Sequence, residues 1–309
     1  MSYIFGPVPS RRLGFSLGVD VIPLKVCSYN CIYCQLGRTT RKTMHRDEYV
    51  PVAPVVEELQ NVLSMGQRID YITFSGSGEP TLHAQIGEII RAVKGMTSIP
   101  VAVLTNGSLL CLKKVREDLS AADLVVPSMD AISEEVFRRI NRPHGRLRIE
   151  AVLGGLKAFR RDFQGKVWLE IMLVKGVNDH PEEIERMARV AAEIGPDRIQ
   201  LNTVVRPPAE ASARPLTMEE MEWIRDQMGE RAEVIAAFQR REQSAYRADM
   251  EQAILAMVAR RPVTLRDLSS SLGLHPNEVI KYVEVLEEAG RVRSVGFGEE
   301  RYYEAGEGR

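Results

Sequence analysis

Residues 27–34 read Cys-Ser-Tyr-Asn-Cys-Ile-Tyr-Cys, a CxxxCxxC pattern that puts Cys27, Cys31 and Cys34 on one short loop. Three thiolates at this spacing can hold three irons of a 4Fe–4S cluster and leave the fourth iron without a protein ligand. Zinc is the competing metal, but structural zinc sites usually take two separated ligand pairs, and the sequence has no second CxxC or HxxxH pair. A disulfide is not expected, because three thiols cannot all pair and nothing indicates an oxidising compartment.

The composition is that of a globular chain long enough for one large and one small domain. The 309 residues are 44% hydrophobic and 27% charged, and the net charge is −1. This balance gives no general attraction to nucleic acid or to anionic membranes. No apolar run approaches the roughly 20 residues that span a bilayer, and the N-terminus lacks a signal-peptide pattern. We therefore expect a cytoplasmic, reducing location, no membrane attachment and, for an oxygen-labile cluster, anaerobic conditions.

Strand and helix patterns alternate over about the first 205 residues. Segments with apolar residues at helical spacing separate six β-rich runs, which are 15–22, 70–76, 101–107, 123–130, 166–174 and 198–205. Such alternation predicts a parallel sheet with helices packed outside it, and it leaves open whether the sheet is doubly wound or a partial barrel. Cys111 falls in a predicted helix over 109–119, where a buried small hydrophobe is its expected role.

Small and polar residues follow these strands. The second strand leads into Ser-Gly-Ser-Gly-Glu-Pro at 75–80, whose glycines let the backbone approach a ligand closely. The third ends in Thr-Asn-Gly at 105–107, which is also an ordinary turn sequence. The fourth ends in Ser-Met-Asp at 128–130, where helix capping by Asp130 is the alternative role.

The cysteine motif, together with Tyr33 before its last cysteine, resembles the radical S-adenosylmethionine (SAM) superfamily. In that family the open iron binds SAM, and reductive cleavage yields a 5′-deoxyadenosyl radical that takes hydrogen from a substrate. The resemblance implies that the chain is an enzyme whose 4Fe–4S cluster is bound by Cys27, Cys31 and Cys34. It also implies a partial (β/α)6 barrel, open on one side, over residues 1–238, with its chemistry at the C-terminal ends of the strands.

The resemblance further implies which residues contact SAM. In the family an aromatic residue packs near the cluster and adenine, a GGEP-like segment contacts the methionine amino group, and later strand ends contribute polar side chains. The corresponding positions here are Tyr33, Gly76, Ser77, Gly78, Glu79, Asn106, Ser128, Asp130, Val174 and Asn202. The alternatives are simple core packing for Val174 and a local backbone hydrogen bond for Asn202. The implied redox partner is an electron donor of the flavodoxin or ferredoxin type.

Three segments are most similar to the group related to wyosine-type tRNA-modifying enzymes: FGPVPSRRLG at 5–14, SGSGEPTL at 75–82 and INRPH at 140–144. Because this match is closest around the shared cofactor, the substrate stays open among a tRNA base, a peptide or protein, and a small metabolite. Arg206 could grip a substrate anion. Lys25 or Lys175 could form a Schiff base with a carbonyl substrate, although either is more often a solvated lysine.

A different unit follows a polar stretch that we interpret as a linker over 239–248. Residues 249–309 combine an amphipathic helix, a short helix, a turn at His275-Pro276, a third helix and a hairpin pattern with Gly296 and Gly298 in its turn. This order is typical of a winged-helix domain. The stretch has eight Lys or Arg against eleven Asp or Glu, which argues against DNA recognition because phosphate binding needs local positive charge.

A rival function from another class is a cluster-containing, redox-sensing regulator whose winged helix reads DNA. The residues at the strand ends that match SAM-binding positions argue against this regulator, since a redox sensor needs no SAM-binding pocket. We expect the winged helix to contact protein, deliver substrate or cover the open barrel, while Arg291, Arg293 and Arg301 keep a nucleic-acid role open.

Overall fold

The structure is a computed structural model that describes residues 2–10, 12–205, 208–235, 248–259, 261–272, 274–297 and 300–306. Two separate hydrophobic cores organise it, one within residues 2–235 and one within residues 248–306. No helix of the described segments combines the length and the apolar character needed to cross a membrane.

Strands of the first part follow one another along the chain as the β/α pattern predicts. They are β1 (Ile4–Ser10), β2 (Gly14–Val19), β3 (Val26–Cys27), β4 (Arg41–Lys42), β5 (Tyr71–Phe74), β6 (Val101–Thr105), β7 (Leu124–Pro127), β8 (Lys166–Leu173), β9 (Arg198–Thr203) and β10 (Ala232–Val234). The helices between them are α1 (Val52–Ser64), α2 (Ile86–Met96), α3 (Lys113–Leu119), α4 (Glu134–Ile140), α5 (Ile149–Asp162), α6 (Pro181–Ile194) and α7 (Met218–Met228), with a 3₁₀ turn at Pro80–Leu82.

Eight of these strands form one sheet in the order β1-β2-β5-β6-β7-β8-β9-β10. Strands β2 and β5 to β10 run parallel, and β1 pairs antiparallel with β2. The strands follow one another in chain order, without the reversal of a doubly wound sheet, and β10 does not pair with β1 in the described chain, as in a partial barrel. The predicted α/β fold with a central parallel sheet is therefore confirmed, and β2 and β5 to β9 are its six predicted strands.

The two edge strands were not predicted. Strand β1 contains Pro7 and Pro9, which remove backbone donors and are tolerated only at the edge of a sheet. Strand β10 has only three residues, too few to show an alternating pattern.

Helix α3 starts later than the sequence indicates. Residues 109–112 form turns, so Cys111 lies half-buried before the helix and not inside it. Just before these turns, Asn106 Oδ1 accepts from Ser108 N at 2.9 Å, a side-chain bond of the kind that competes with helix formation. Side chains cap two of the helices: Ser133 caps α4, and Thr217 forms a capping box with Glu220 at the start of α7.

Both faces of the sheet bury apolar side chains. Alternate residues such as Val103, Val125 and Leu169 face the helices within the large core. Their neighbours pack in a second cluster on the opposite face, formed by Leu13, Ala102, Leu124, Val126 and Trp168. This second cluster fills the hydrophobic end of the barrel lumen and leaves the C-terminal strand ends for polar residues.

The C-terminal part has its own helices and sheet. Its elements are α8 (Ala248–Val258), β11 (Val263–Thr264), α9 (Leu265–Leu272), α10 (Pro276–Glu288), β12 (Val292–Phe297) and β13 (Glu300–Ala305), and the strands pair in the order β11-β13-β12. Apolar side chains of α8 and α10, including Ile254, Val283 and Leu286, are buried together. Of the predicted linker only Ala248 is described, and Gly298 of the predicted hairpin turn also lies outside the described residues.

A buried histidine joins this C-terminal part to the barrel. His275, the N-cap of α10, places Nε2 2.7 Å from Asp20 Oδ2, and the two side chains are only 7% and 6% exposed. The imidazole also stacks on Phe5 with ring centroids 4.2 Å apart. Arg301 donates to the Pro208 carbonyl. The start of α10 is therefore seated on the β1–β2 hairpin.

Replacing His275 with alanine should loosen this contact. The variant loses a buried hydrogen bond to a carboxylate and a ring stack, together about 2–4 kcal/mol of docking free energy. Amide hydrogen exchange should therefore accelerate in Ile4–Ser10 and in Pro276–Glu288. The exposed His45 offers the control His45→Ala, and equal exchange in the two variants would contradict the contact.

Candidate functional site

The cysteine loop lies beyond the C-terminal end of β2 and is held from both sides. Its flank at Cys27 pairs with Lys42 in the short β3–β4 ladder. On the other side, Asn30 N donates to the Asn141 carbonyl at 2.9 Å, and His144 N donates to the Ser28 carbonyl at 2.8 Å. The loop is thus clamped against the segment that follows α4.

The three motif cysteines are half-buried free thiols. Burial, followed by the Glu79 carboxylate, raises the pKa of the Cys27 thiol to about 12. Burial and the Asp130 carboxylate raise the pKa of Cys31 well above its ordinary value, and the charges of Cys27 and Cys34 add to this. A metal that binds these two thiols must displace their protons.

Each of the three sulfurs accepts a hydrogen bond from a different segment of the chain. The donor and sulfur pairs are Asn106 Nδ2 to Cys27 Sγ at 3.5 Å, Asn141 Nδ2 to Cys31 Sγ at 3.5 Å and Lys25 Nζ to Cys34 Sγ at 3.1 Å. Donors of this kind stabilise thiolate charge and tune the reduction potential of iron–sulfur centres.

This donor set fits a 4Fe–4S cluster. Among the described residues, no three His, Cys, Asp or Glu side chains are arranged to hold one metal ion. A cluster needs a different arrangement, because each cysteine binds a different iron. Three free thiols on one short loop, each with a side-chain N–H donor, suit that requirement, and Cys27, Cys31 and Cys34 would be the ligands.

The glycine-rich loop after β5 packs tightly against the chain that leads into the cysteine loop. Gly76 has φ of 148°, and a Cβ there would lie 2.3 Å from the Asp20 carboxyl carbon. Ser77 N donates to Asp20 Oδ2 at 2.9 Å. A Cβ on Gly78 would lie 2.0 Å from the Val26 carbonyl oxygen. Both glycines are therefore required by protein packing, and Asp20 holds the loop in place.

Glu79 is a buried carboxylate, 2% exposed, with both oxygens bound by protein donors. Its Oε1 accepts from Thr81 N at 3.0 Å, Thr81 Oγ1 at 2.6 Å and Thr105 Oγ1 at 2.6 Å, and its Oε2 accepts from Asn106 N at 2.7 Å. Burial raises the pKa of Glu79, and these hydrogen bonds oppose the rise. Glu79 thus ties the end of β5 to the end of β6 and positions Asn106.

Asp130 has a similar linking position after β7. Its Oδ2 accepts from Tyr33 Oη at 2.5 Å and from Asn141 Nδ2 at 2.7 Å, and its Oδ1 accepts from Met172 N at 3.0 Å. Burial raises the pKa of Asp130 to about 6, while the bonds from Tyr33 and Met172 oppose the rise. Asp130 does not cap a helix, since Ser133 caps α4. It orients Tyr33 and the donor to Cys31.

Two further predicted residues lie around Glu170, in the barrel lumen. Asn202 Nδ2 donates to Glu170 Oε1 at 3.2 Å, and Asn202 Oδ1 accepts from Thr203 N at 3.0 Å. Ser128 is half-buried and forms a backbone bridge with Glu170. Asn202 therefore makes the local backbone hydrogen bond given above as the alternative, and it also contacts Glu170 on a neighbouring strand.

The other residues singled out in the sequence have different surroundings. Val174 is fully buried in the large core, the alternative that the sequence left open. Lys175 forms a surface ion pair with Glu220. Lys25 is buried against Cys34, so the expectation of a solvated lysine is wrong at this position. Arg206 lies outside the described residues.

Sequence reasoning missed several side chains of the site. Asn141, donor to Cys31 and Asp130, lies inside the INRPH segment that was noted only as a family resemblance. Glu170 pairs with Arg12 at 2.9 Å across the lumen. A carboxylate in the middle of the otherwise apolar strand 167–174 is a signal that could have identified it.

A family model and sequence relatives match this chain. The model of the radical SAM superfamily matches residues 21–191. A Brachyspira hyodysenteriae protein named GTPase Obg is 39% identical over 293 residues, 94% of this chain but 43% of that protein. A UPF0026 protein of Methanocaldococcus jannaschii is 38% identical over 221 residues, 71% of this chain and 68% of the relative. The chain thus spans less than half of the first relative and about two thirds of the second.

Solved structures share the fold. A crystal structure of a radical SAM methyltransferase from Sphaerobacter thermophilus matches with a TM-score of 0.56 and 18% identity, over 71% of this chain and 66% of that chain. At this identity the match concerns the arrangement of strands and helices alone.

Proposed function

The chain belongs to the radical SAM superfamily, and from this premise we propose that it cleaves SAM reductively and uses the resulting radical to take hydrogen from a substrate. Members of the superfamily use a 4Fe–4S cluster and SAM. The placement of three free thiols on one short loop, each with a side-chain N–H donor, is the observation that carries the proposal. An electron donor of the flavodoxin or ferredoxin type would supply the reducing electron.

The residues of the site have separate tasks in this proposal. When bound, the cluster supplies one electron to SAM, whose cleavage yields methionine and a 5′-deoxyadenosyl radical. Cys27, Cys31 and Cys34 hold three irons. Glu79 and Asp130, whose oxygens are occupied by protein donors, hold Asn106 and Tyr33 in position.

We propose that SAM lies along the C-terminal ends of β5, β6, β7 and β9. The direct contacts would come from Tyr33, the backbone of the loop at 76–78, Asn106, Ser128 and Asn202. Support for this placement comes from the hydrogen bonds that bring these loops to the cysteines, such as Asn106 to Cys27. Val174 would support the site from the core.

The substrate is proposed to be an RNA base, as in the wyosine-type group that the sequence resembles. Exposed cations on the two segments that clamp the cysteine loop favour an anionic substrate: Arg41, Lys42, Arg146 and Arg148. An uncharged peptide or metabolite would gain nothing from these cations. The GTPase name of the first relative is not carried over, since this sequence lacks the GxxxxGK[ST] phosphate-binding motif.

We propose that the C-terminal part is a winged-helix domain that acts as a lid on the barrel. The N-terminal end of a recognition helix normally meets the bases of DNA. In this chain that end of α10 is occupied, because His275 is buried against Asp20 and Phe5. This contact favours the lid over the DNA-reading regulator.

Anaerobic reconstitution with iron and sulfide, followed by dithionite and SAM, tests the proposed function. We expect 5′-deoxyadenosine to form only when reductant and SAM are both present, and its formation to increase when bulk tRNA is added. Chromatography of the quenched reaction measures it. Protein with a full cluster that forms no 5′-deoxyadenosine would contradict the radical chemistry, and stimulation by peptides but not by tRNA would contradict the RNA substrate.

A further inference from the structure

Lys25 is a buried lysine whose side chain is directed to a cluster cysteine. Lys25 is 6% exposed, and its Nζ lies 3.1 Å from Cys34 Sγ. Within the described chain, no carboxylate forms an ion pair with Lys25. Buried charges in proteins normally have a polar or oppositely charged partner, and the Cys34 sulfur is the partner available here.

The backbone of Lys25 adopts a conformation that favours glycine. Its φ is 62°, in the left-handed region that a lysine rarely occupies. Three backbone contacts hold it there: Lys25 N donates to the Ser77 carbonyl at 2.7 Å, and its carbonyl accepts from Thr40 N at 3.1 Å and Arg41 N at 3.2 Å. Glycine would fit this position without strain, so the presence of lysine points to a need for the side chain.

Lys25 differs in charge from the other two side-chain donors to the cysteine sulfurs. The other two sulfur donors, from Asn106 and Asn141, are neutral amides. Lys25 is therefore the positively charged member of the three donors to the cysteines.

We propose that Lys25 is a positioning residue that supplies a fixed positive charge beside Cys34 and thereby raises the reduction potential of the bound cluster. The inference rests on the proposed function, because it presupposes a 4Fe–4S cluster on Cys27, Cys31 and Cys34. Reduction adds one electron, taken from a low-potential one-electron donor, and makes the site more negative by one charge. A neighbouring cation stabilises the reduced form more than the oxidised form, which eases electron entry.

The test is a redox titration of the reconstituted holoprotein, followed by electron paramagnetic resonance. Lys25→Met removes the charge and keeps the length, and Lys25→Arg keeps the charge, while both retain the strain at φ 62°. Lys42→Met removes a charge from an exposed lysine of the same region. We expect the ratio of reduced to oxidised cluster at a fixed potential to fall by about tenfold in Lys25→Met, equivalent to 59 mV for one electron. Lys25→Arg and Lys42→Met should stay near the parent protein.

An unchanged potential in Lys25→Met at full iron content would overturn the inference, and so would an equal shift in Lys42→Met. If Lys25→Met retains no iron, Lys25→Gln is measured as well. Iron loss in both neutral variants, with a normal cluster in Lys25→Arg, would support the role of the positive charge. Iron loss in all three variants would show that Lys25 acts through packing and would overturn the inference. A parent protein that forms no 4Fe–4S signal contradicts the proposed function itself, a separate result.

Discussion

Replacing Cys31 with alanine is expected to abolish cluster binding and with it the cleavage of SAM. Two remaining thiolates cannot hold three irons, and the Asn141 amide and Asp130 would face an empty position. Loss of an outer partner of a metal ligand already costs about 10–100-fold in affinity or activity, so loss of a ligand should exceed roughly 100-fold. Iron and sulfide analysis, with 5′-deoxyadenosine formation, measures the effect.

Cys111 provides the matched control for this substitution. It is also a half-buried free thiol, and its Sγ donates a hydrogen bond to the Ser108 carbonyl at 3.6 Å. Cys111→Ala should keep full iron content and full SAM cleavage. Equal iron content in Cys31→Ala and the parent protein would show that the triad does not bind the cluster.

Replacing Glu79 with alanine is expected to cause the largest loss of stability. The substitution leaves four donors without their acceptor, two of them on Thr81 and the others on Thr105 and Asn106. Buried donors without a partner cost about 1–3 kcal/mol each, and partial relaxation should limit the total to about 3–5 kcal/mol. Urea denaturation followed by circular dichroism gives the free energy of unfolding.

Two further variants separate the hydrogen bonds of Glu79 from a general effect of charge. Glu79→Gln keeps the shape but turns one acceptor into a donor, so it should cost about 1–3 kcal/mol. Glu88→Ala removes a carboxylate from the exposed face of α2 and should change the stability by about 0.5 kcal/mol or less. A loss below about 1 kcal/mol in Glu79→Ala would contradict the linking role.

The order of strands and helices was predictable because each β/α unit carries its own periodicity. Six of the eight strands of the sheet, β2 and β5 to β9, bury apolar side chains on both faces, which gives the continuous apolar runs seen in the sequence. The sequence does not predict strand β1, because its prolines are typical of an edge strand. At an edge, pairing depends on the neighbouring backbone and not on a local sequence pattern.

The cysteine ligands were also predictable, since their spacing is local. Their donors were not, because Asn106 and Asn141 come from positions 79 and 110 residues away from the sulfurs they contact. The same limit applies to Glu79 and Asp130. Their residue types suggested ligand contacts, whereas only the folded chain shows that their oxygens are already occupied.

One oxygen of Asp20 accepts from both Ser77 N and His275 Nε2. The glycine-rich loop and the C-terminal part therefore share a single acceptor, and their free energies are linked. By thermodynamic reciprocity, any factor by which docking of α10 alters the affinity of this loop for a ligand is the factor by which that ligand alters docking. A molecule that binds between His275 and the β1–β2 hairpin would thus act as an effector of the loop without touching its ligand.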